Sequence, residues 1–253
     1  MSKEYGNIIC VINARGGSAG LPRKNLKKVG GIPLVCRTVD IMLKAKTPDC
    51  CFVNTDDDEI AQLCRERGAE VPFKRPAELA GDDVPQYPVQ QHSIKWYEET
   101  FERPVHILCH LQATGPFATA EDIDRCVRAA INDPECSAAV AVVEARHNPY
   151  FVMWEALGRY LEPVMRERGY GRPIADSDRH LLRRQDAPRV LQAAGTVWAI
   201  RRETVMKLGS AFGPRPVPVV VDSERFCEID YEMDLILAQA QHKYLMKVGK
   251  ITS

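Results

Sequence analysis

Short apolar runs and helix-length amphipathic segments take turns along the first 145 residues, and this alternation restricts the fold more than any other feature of the chain. Asn7 to Asn13 is rich in Ile and Val and stops at Ala14-Arg15-Gly16-Gly17, where two glycines punctuate the chain. Pro33 to Lys46 carries Leu34, Val35, Thr38, Val39, Met42 and Leu43 at helical spacing, with proline in the first turn where a helix tolerates it. Cys50 to Asn54 reads as a strand, and Glu59 to Arg67 as a helix capped by Asp58 and closed by Gly68. Gln86 to Phe101 reads as a helix and Val105 to Gln112 as a strand. Thr119 to Ile131 reads as a helix capped by Thr119 with Asp122 three residues on, and Ala138 to Val143 as a strand. Strands separated by helices imply βαβ units, hence an α/β fold with a mostly parallel sheet and helices on both faces. Ligands of such sheets sit beyond the carboxyl ends of the strands, which directs attention to residues 14–25, 55–58, 112–116 and 144–148.

The rhythm breaks after about residue 145. Residues 146–190 hold Tyr150, Phe151, Trp154, Tyr160 and Tyr170, several prolines and many arginines, the composition of an extended excursion. Ala193 to Arg201 resumes as a strand. Val217 to Val221 follows near Pro216 and Pro218, which push it to a sheet edge. Asp230 to Lys243 closes as a helix, with Met233, Leu235, Ile236, Leu237 and Ala240 as its apolar contacts. A chain of 253 residues suits one domain, 1–253, with 146–190 as an excursion from it. The 34 Lys plus Arg balance 34 Asp plus Glu, which argues against a nucleic-acid coat or a polybasic membrane binder. No run approaches the ~18 apolar residues of a membrane span, and the N-terminal apolar run is too short for a signal peptide. The nine cysteines are an odd number without a C-x-x-C pair. They read as reduced thiols of a cytoplasmic protein without a structural zinc site.

The segment Ala14-Arg15-Gly16-Gly17-Ser18-Ala19-Gly20-Leu21-Pro22-Arg23-Lys24-Asn25 follows a strand and combines glycines with three cations and a serine. Glycines let backbone N–H groups converge on an anion, and Arg15, Arg23 and Lys24 add full charge for a phosphate. The other reading is a surface loop of solvated basic residues. Neither G-x-x-x-x-G-K-[ST] nor G-x-G-x-x-G is present, so the P-loop and the dinucleotide fingerprint are both excluded.

This loop resembles the signature A-R-G-G-S-K-G-x-P-x-K-N of the acylneuraminate cytidylyltransferases, the CMP-sialic acid synthetase family. Six further segments match in order: Thr55-Asp56-Asp57; Val71 through Leu79; Leu111-Gln112-Ala113-Thr114-Gly115-Pro116; Asn148-Pro149-Tyr150-Phe151; Arg183-Arg184-Gln185-Asp186; and Glu228 through Asp234. The resemblance implies a Rossmann-like domain with a small dimerisation excursion, hence a homodimer in which 146–190 reaches the partner. It implies CMP transfer from CTP to the anomeric hydroxyl of a sialic-acid-like 2-keto sugar acid, with pyrophosphate leaving and Mg²⁺ required. Carried over by position, Ala14, Arg15, Gly16, Gly17, Ser18, Lys24, Asn25 and Arg75 belong to the nucleotide site. Gln112, Arg183, Arg184 and Gln185 face the sugar acid, and Glu228 and Asp230 hold the metal. Arg15, Lys24, Gln112 and Arg184 are the implied catalytic set.

The residue types suit that chemistry. A triphosphate opposes attack by another anion, so cations must neutralise the α-phosphate and the departing pyrophosphate. Glu228 and Asp230, two apart on an extended stretch, point to one side and offer hard oxygen ligands; their other reading is capping of the helix that follows. Gln112 ends a buried strand, where a long amide meets either a ligand or neighbouring backbone. Arg183 and Arg184 suit a carboxylate, or a salt bridge within the excursion. His92, His106, His110, His147 and His180 have no metal spacing. Three positions depart from the family pattern: Ala19 replaces a lysine, with Arg23 the nearby substitute; Val84 and Gln86 replace small hydroxyl residues; Ala194-Gly195 replaces Asn-Gly. Alternative readings are the same transfer to legionaminic, pseudaminic or octulosonic acid, and a non-catalytic sugar-nucleotide binding protein.

Overall fold

The computed structural model of the chain describes residues 6–147, 153–157, 160–163 and 189–251. Two compact units emerge: 1–142 with 193–253, and 143–192. The first is built on a six-stranded sheet of β1 (Asn7–Asn13), β4 (Cys50–Asn54), β5 (Val105–Leu111), β6 (Ala138–Glu144), β9 (Leu191–Arg201) and β10 (Pro216–Val220), in the order β10-β6-β9-β5-β1-β4. β1 runs parallel to β4 and β5, and β10 runs parallel to β6. β9 is antiparallel to β5. It also opposes β6, because Arg201 N–H donates to the Ser137 carbonyl while Ala145 N–H donates to Val190. Central strands are buried on both faces, which is why they read as continuous apolar runs; Ile8 through Ile12 are almost wholly inaccessible.

The helices are α1 (Leu34–Lys44), α2 (Asp58–Glu66), α3 (Gln86–Phe101), α4 (Ala120–Asn132), α5 (Arg202–Met206) and α6 (Glu232–Lys247). Thr119 caps α4 in a full capping box with Asp122. At α2 the cap is Asp57, whose carboxylate accepts from Ile60 N–H at 2.9 Å, and Asp58 is already helical. Pro33 lies just outside α1, in a two-strand ribbon of β2 (Lys28–Val29) and β3 (Ile32–Pro33) turned by Gly30 and Gly31, both at positive φ. The second unit contains the antiparallel pair β7 (Trp154–Leu157) and β8 (Tyr160–Pro163). All nine cysteines are free thiols. Among the described residues no helix is long and apolar enough to cross a membrane.

Candidate active site

The carboxyl ends of β1 and β5 open into a cavity of about 310 Å³ within the first unit. Arg15, Gly17, Ser18, Lys24 and Asn25 line it from the glycine-rich loop, Arg75 and the 79–89 stretch from another side, and Gln112 and Thr114 from beyond β5. Glu228 and Asp230 complete the wall. Segments more than 200 residues apart in sequence therefore converge on one space.

The loop is held from beneath. Ala14 N–H donates to the Asn54 carbonyl, and the Asn25 amide donates to the Arg15 carbonyl at 2.8 Å. Gly16 N–H donates to Asp56 Oδ1 at 3.0 Å, and a Cβ at Gly16 would lie 2.5 Å from Asp57 Oδ2. Ala14 and Gly16 thus build the loop without lining the cavity: Ala14 is fully buried, and Gly16 is packed against the acidic turn after β4. Gly20 has a different use. A Cβ there would come within 2.6 Å of the Asp230 carbonyl, so only glycine lets the loop lie against the acidic segment.

Each of the three cations of the loop has an acidic partner. Arg15 reaches Asp82 at 2.7 Å and the Gly81 carbonyl at 2.8 Å. Lys24 Nζ lies 2.8 Å from Asp230 Oδ1. Arg23 sits in left-handed backbone and is gripped by Asp57 and, at 2.5 Å, by Glu59. The hydrogen bond to Asp57 holds the Arg23 guanidinium above its ordinary range. Arg23 is therefore committed to α2 and does not line the cavity, which corrects its expected role as substitute for a lysine at position 19.

Arg75 differs from these. It is buried, and its guanidinium donates to Asn54 Oδ1 at 2.8 Å and to the Asn54 carbonyl at 2.6 Å, both neutral oxygens. Asn54 donates in turn to Ser93 of α3, which locks the set. Burial lowers Arg75 to about 10, still a cation at neutral pH. A buried positive charge that lines a cavity and is hydrogen-bonded to neutral oxygens suits an anionic or carbonyl-bearing ligand.

On the opposite side, the side chain of buried Ile229 anchors the acidic segment and its N–H donates to the Thr114 carbonyl at 3.1 Å. Glu228 and Asp230, one residue to either side, both line the cavity. Burial, and then the Asp230 charge, push the Glu228 carboxyl up. The hydrogen-bonding cap of the following helix comes from Asp234 and not from this pair: Asp234 Oδ2 takes the Asp230 and Tyr231 N–H groups at 2.9 and 2.8 Å. Two adjacent hard carboxylates at a raised electrostatic cost fit a small divalent cation that keeps water or ligand oxygens in its other positions. Among the described residues, no group of three or more His, Cys, Asp or Glu forms a cage.

Gln112 donates its backbone N–H to Thr196 at 3.0 Å, and its side chain has no hydrogen-bond partner among the described residues. Arg183, Arg184 and Gln185 lie outside the described residues. Two cavity groups had no role in the sequence reading: His110, and Asn13, whose Nδ2 is 3.0 Å from His110 Nδ1. Burial, then Arg75, drive the His110 imidazole down to about 3, so it is neutral and Nδ1 accepts from the amide. Asn13 Oδ1 and His110 Nε2 have no partner among the described residues, which leaves an acceptor and a donor at the cavity floor. Their position at strand carboxyl ends was the available signal.

The family model described as Cytidylyltransferase matches residues 9–168, more than half of the chain. The chain is 26% identical over 232 residues to post-translational flagellin modification protein B of Campylobacter coli, covering 92% of this chain and 93% of that one. It is 28% identical, with the same coverage, to CMP-N,N'-diacetyllegionaminic acid synthase of Campylobacter jejuni subsp. jejuni serotype O:2. Its fold is similar to the solved structure of CMP:2-keto-3-deoxy-manno-octonic acid synthetase complexed with CTP, with a TM-score of 0.65, 17% identity, and coverage of 95% and 99% of the two chains.

Proposed function

Because the chain belongs to the cytidylyltransferase family, we propose that it transfers CMP from CTP to the anomeric hydroxyl of a sialic-acid-like 2-keto sugar acid. The observation that carries this reading is the placement of Arg15, Lys24 and Arg75 around the same cavity as Glu228 and Asp230. In the reaction, the sugar hydroxyl oxygen bonds to the α-phosphorus, the α–β bridging P–O bond breaks, and the hydroxyl proton passes to water as pyrophosphate departs. Arg15 and Lys24 leave their carboxylate partners for phosphate oxygens, an exchange of one anion for another that keeps both cations neutralised. Ser18 and the Gly17 backbone steady the phosphates, and Arg75 meets the nucleoside. Gln112 orients the acceptor sugar, and Arg183, Arg184 and Gln185 receive its carboxylate. Glu228 and Asp230 hold Mg²⁺, which when bound offsets the negative charge of the triphosphate.

The acceptor is a nine-carbon sugar acid of the sialic or legionaminic type. The similarity to a legionaminic acid synthase over nearly the full length of both chains supports the second. We also carry the reading of a cytoplasmic homodimer in which 146–190 reaches the partner, supported by the aromatic and arginine content of that excursion. Sedimentation as a monomer alone at micromolar concentration would overturn the dimer. The activity is tested by pyrophosphate release with CTP, ATP, GTP and UTP against sialic, legionaminic, pseudaminic and octulosonic acids. Release is expected with CTP and a nine-carbon acid. No release with any pair, despite CTP binding, would leave a nucleotide-binding protein instead.

A further inference from the structure

Helix α6 is apolar on two opposite sides. One side carries Leu235, Ala238, His242 and Leu245, of which Ala238 and Leu245 are fully buried against the body of the first unit. The other carries Met233, Ile236, Leu237, Ala240 and Tyr244, spaced 3, 1, 3 and 4 residues apart, which at 3.6 residues per turn forms one continuous stripe. This second side faces outward: Met233 is 62% exposed, Ile236 56%, Leu237 60% and Tyr244 49%. A surface helix ordinarily presents polar residues there, and a contiguous apolar stripe marks an interaction surface. Of the residues expected to supply the helix's apolar contacts, Met233, Ile236, Leu237 and Ala240 are turned outward.

The charges beside the stripe identify the occupant. Glu232 lies at the amino end and Lys243 and Lys247 toward the carboxyl end, all exposed and on the same flank. Facing helices that run antiparallel bring like flanks together with their ends reversed. Glu232 of each copy then meets Lys247 of the other, twice by symmetry. Parallel pairing would instead put the acidic first turns side by side. The residue at the centre of the antiparallel arrangement is Ala240, small enough for close approach, with Ile236 opposite Tyr244 and Met233 opposite Lys247. We propose that this face pairs with the same face of a second copy of the chain, antiparallel about a two-fold axis at Ala240. The pairing is independent of the excursion at 146–190, and it would set two cavities near one interface, since α6 begins two residues after Asp230.

Six variants and one mixture test it. Mild oxidation of Ala240→Cys should link two chains on a non-reducing gel. Met233→Cys and Lys247→Cys should each stay unlinked alone and link when mixed. In sedimentation equilibrium, Ile236→Glu with Leu237→Glu should weaken association at least tenfold while the circular dichroism and melting temperature of the surface variant stay unchanged. Glu232→Lys should weaken association, and adding Lys247→Glu should restore it. A folded Ala240→Cys that does not cross-link overturns the proposal even if the chain dimerises by its excursion. So does unchanged association of the Ile236→Glu, Leu237→Glu variant.

Discussion

At the scale of single residues, the site was legible wherever charge and glycine cluster, and illegible where a side chain's partner decided its role. Arg15, Lys24, Arg75, Gln112, Glu228 and Asp230 all line one cavity. Arg23 has the same chemistry as Arg15, yet Asp57 and Glu59 claim it, and no spacing rule foresees that. The consequence is testable. With Arg23 engaged and Ala19 exposed beside Ser18, Ala19→Lys should add a charge-assisted contact to the triphosphate. Such contacts contribute about 1.5–3 kcal/mol, and at an exposed position the low end applies, about tenfold in CTP affinity by calorimetry. Unchanged affinity would mean that position 19 does not reach the phosphates. Asp230→Asn should lower pyrophosphate release by orders of magnitude while melting within a degree or two of the parent. The helix cap belongs to Asp234, and the Lys24–Asp230 pair is half exposed and adds little stability. Undiminished release would rule out the metal-binding role proposed for Asp230.

At the scale of elements, period and punctuation located the strands that matter to within a residue or two, because buried parallel strands leave unbroken apolar runs. The ribbon at 28–33 and the five-residue α5 were invisible, being too short for a period. The reversed direction of β9 was invisible too, since alternation does not encode strand sense. Elements are joined to the site by specific contacts. Gly20→Ala should force the loop off the Asp230 carbonyl, which a new Cβ would approach to 2.6 Å. Turnover should fall by about tenfold or more with little change in melting temperature; full activity would show that the loop and acidic segment need not touch. The acidic segment is itself fastened to α4 by Arg225, whose Nη1 and Nη2 lie 2.5 and 3.0 Å from the buried Asp122 carboxylate. Burial works to raise the Asp122 carboxyl, but Arg225 and Thr119 outweigh it and the net displacement is downward. A carboxyl held below its unfolded value stabilises the fold above about pH 4, and that contribution is lost as pH falls through the folded value. Asp122→Asn should therefore cost about 3 kcal/mol at neutral pH, and the gap to the parent should narrow below about pH 4 in a series of melting curves. A gap independent of pH would contradict the ionic character of the pair.

At the scale of the whole molecule, the sequence conveyed an α/β sheet with an interruption but not the order in which the chain fills it. β9 stands between β5 and β6, so the strands on its two sides are joined only by a strand that comes after the 143–192 unit. During synthesis, β4 and then β5 each find β1 already made and can pair with it as they emerge. β6 has no neighbour of its own in the sheet until β9 and β10 have been made. Leu191 follows Glu144 by more than forty residues, which at about 5–20 residues per second leaves β6 with an open edge for seconds on the ribosome. An unpaired apolar edge is a template for wrong pairing. The order of strands in the finished sheet therefore makes the newborn chain a client for chaperones during that interval.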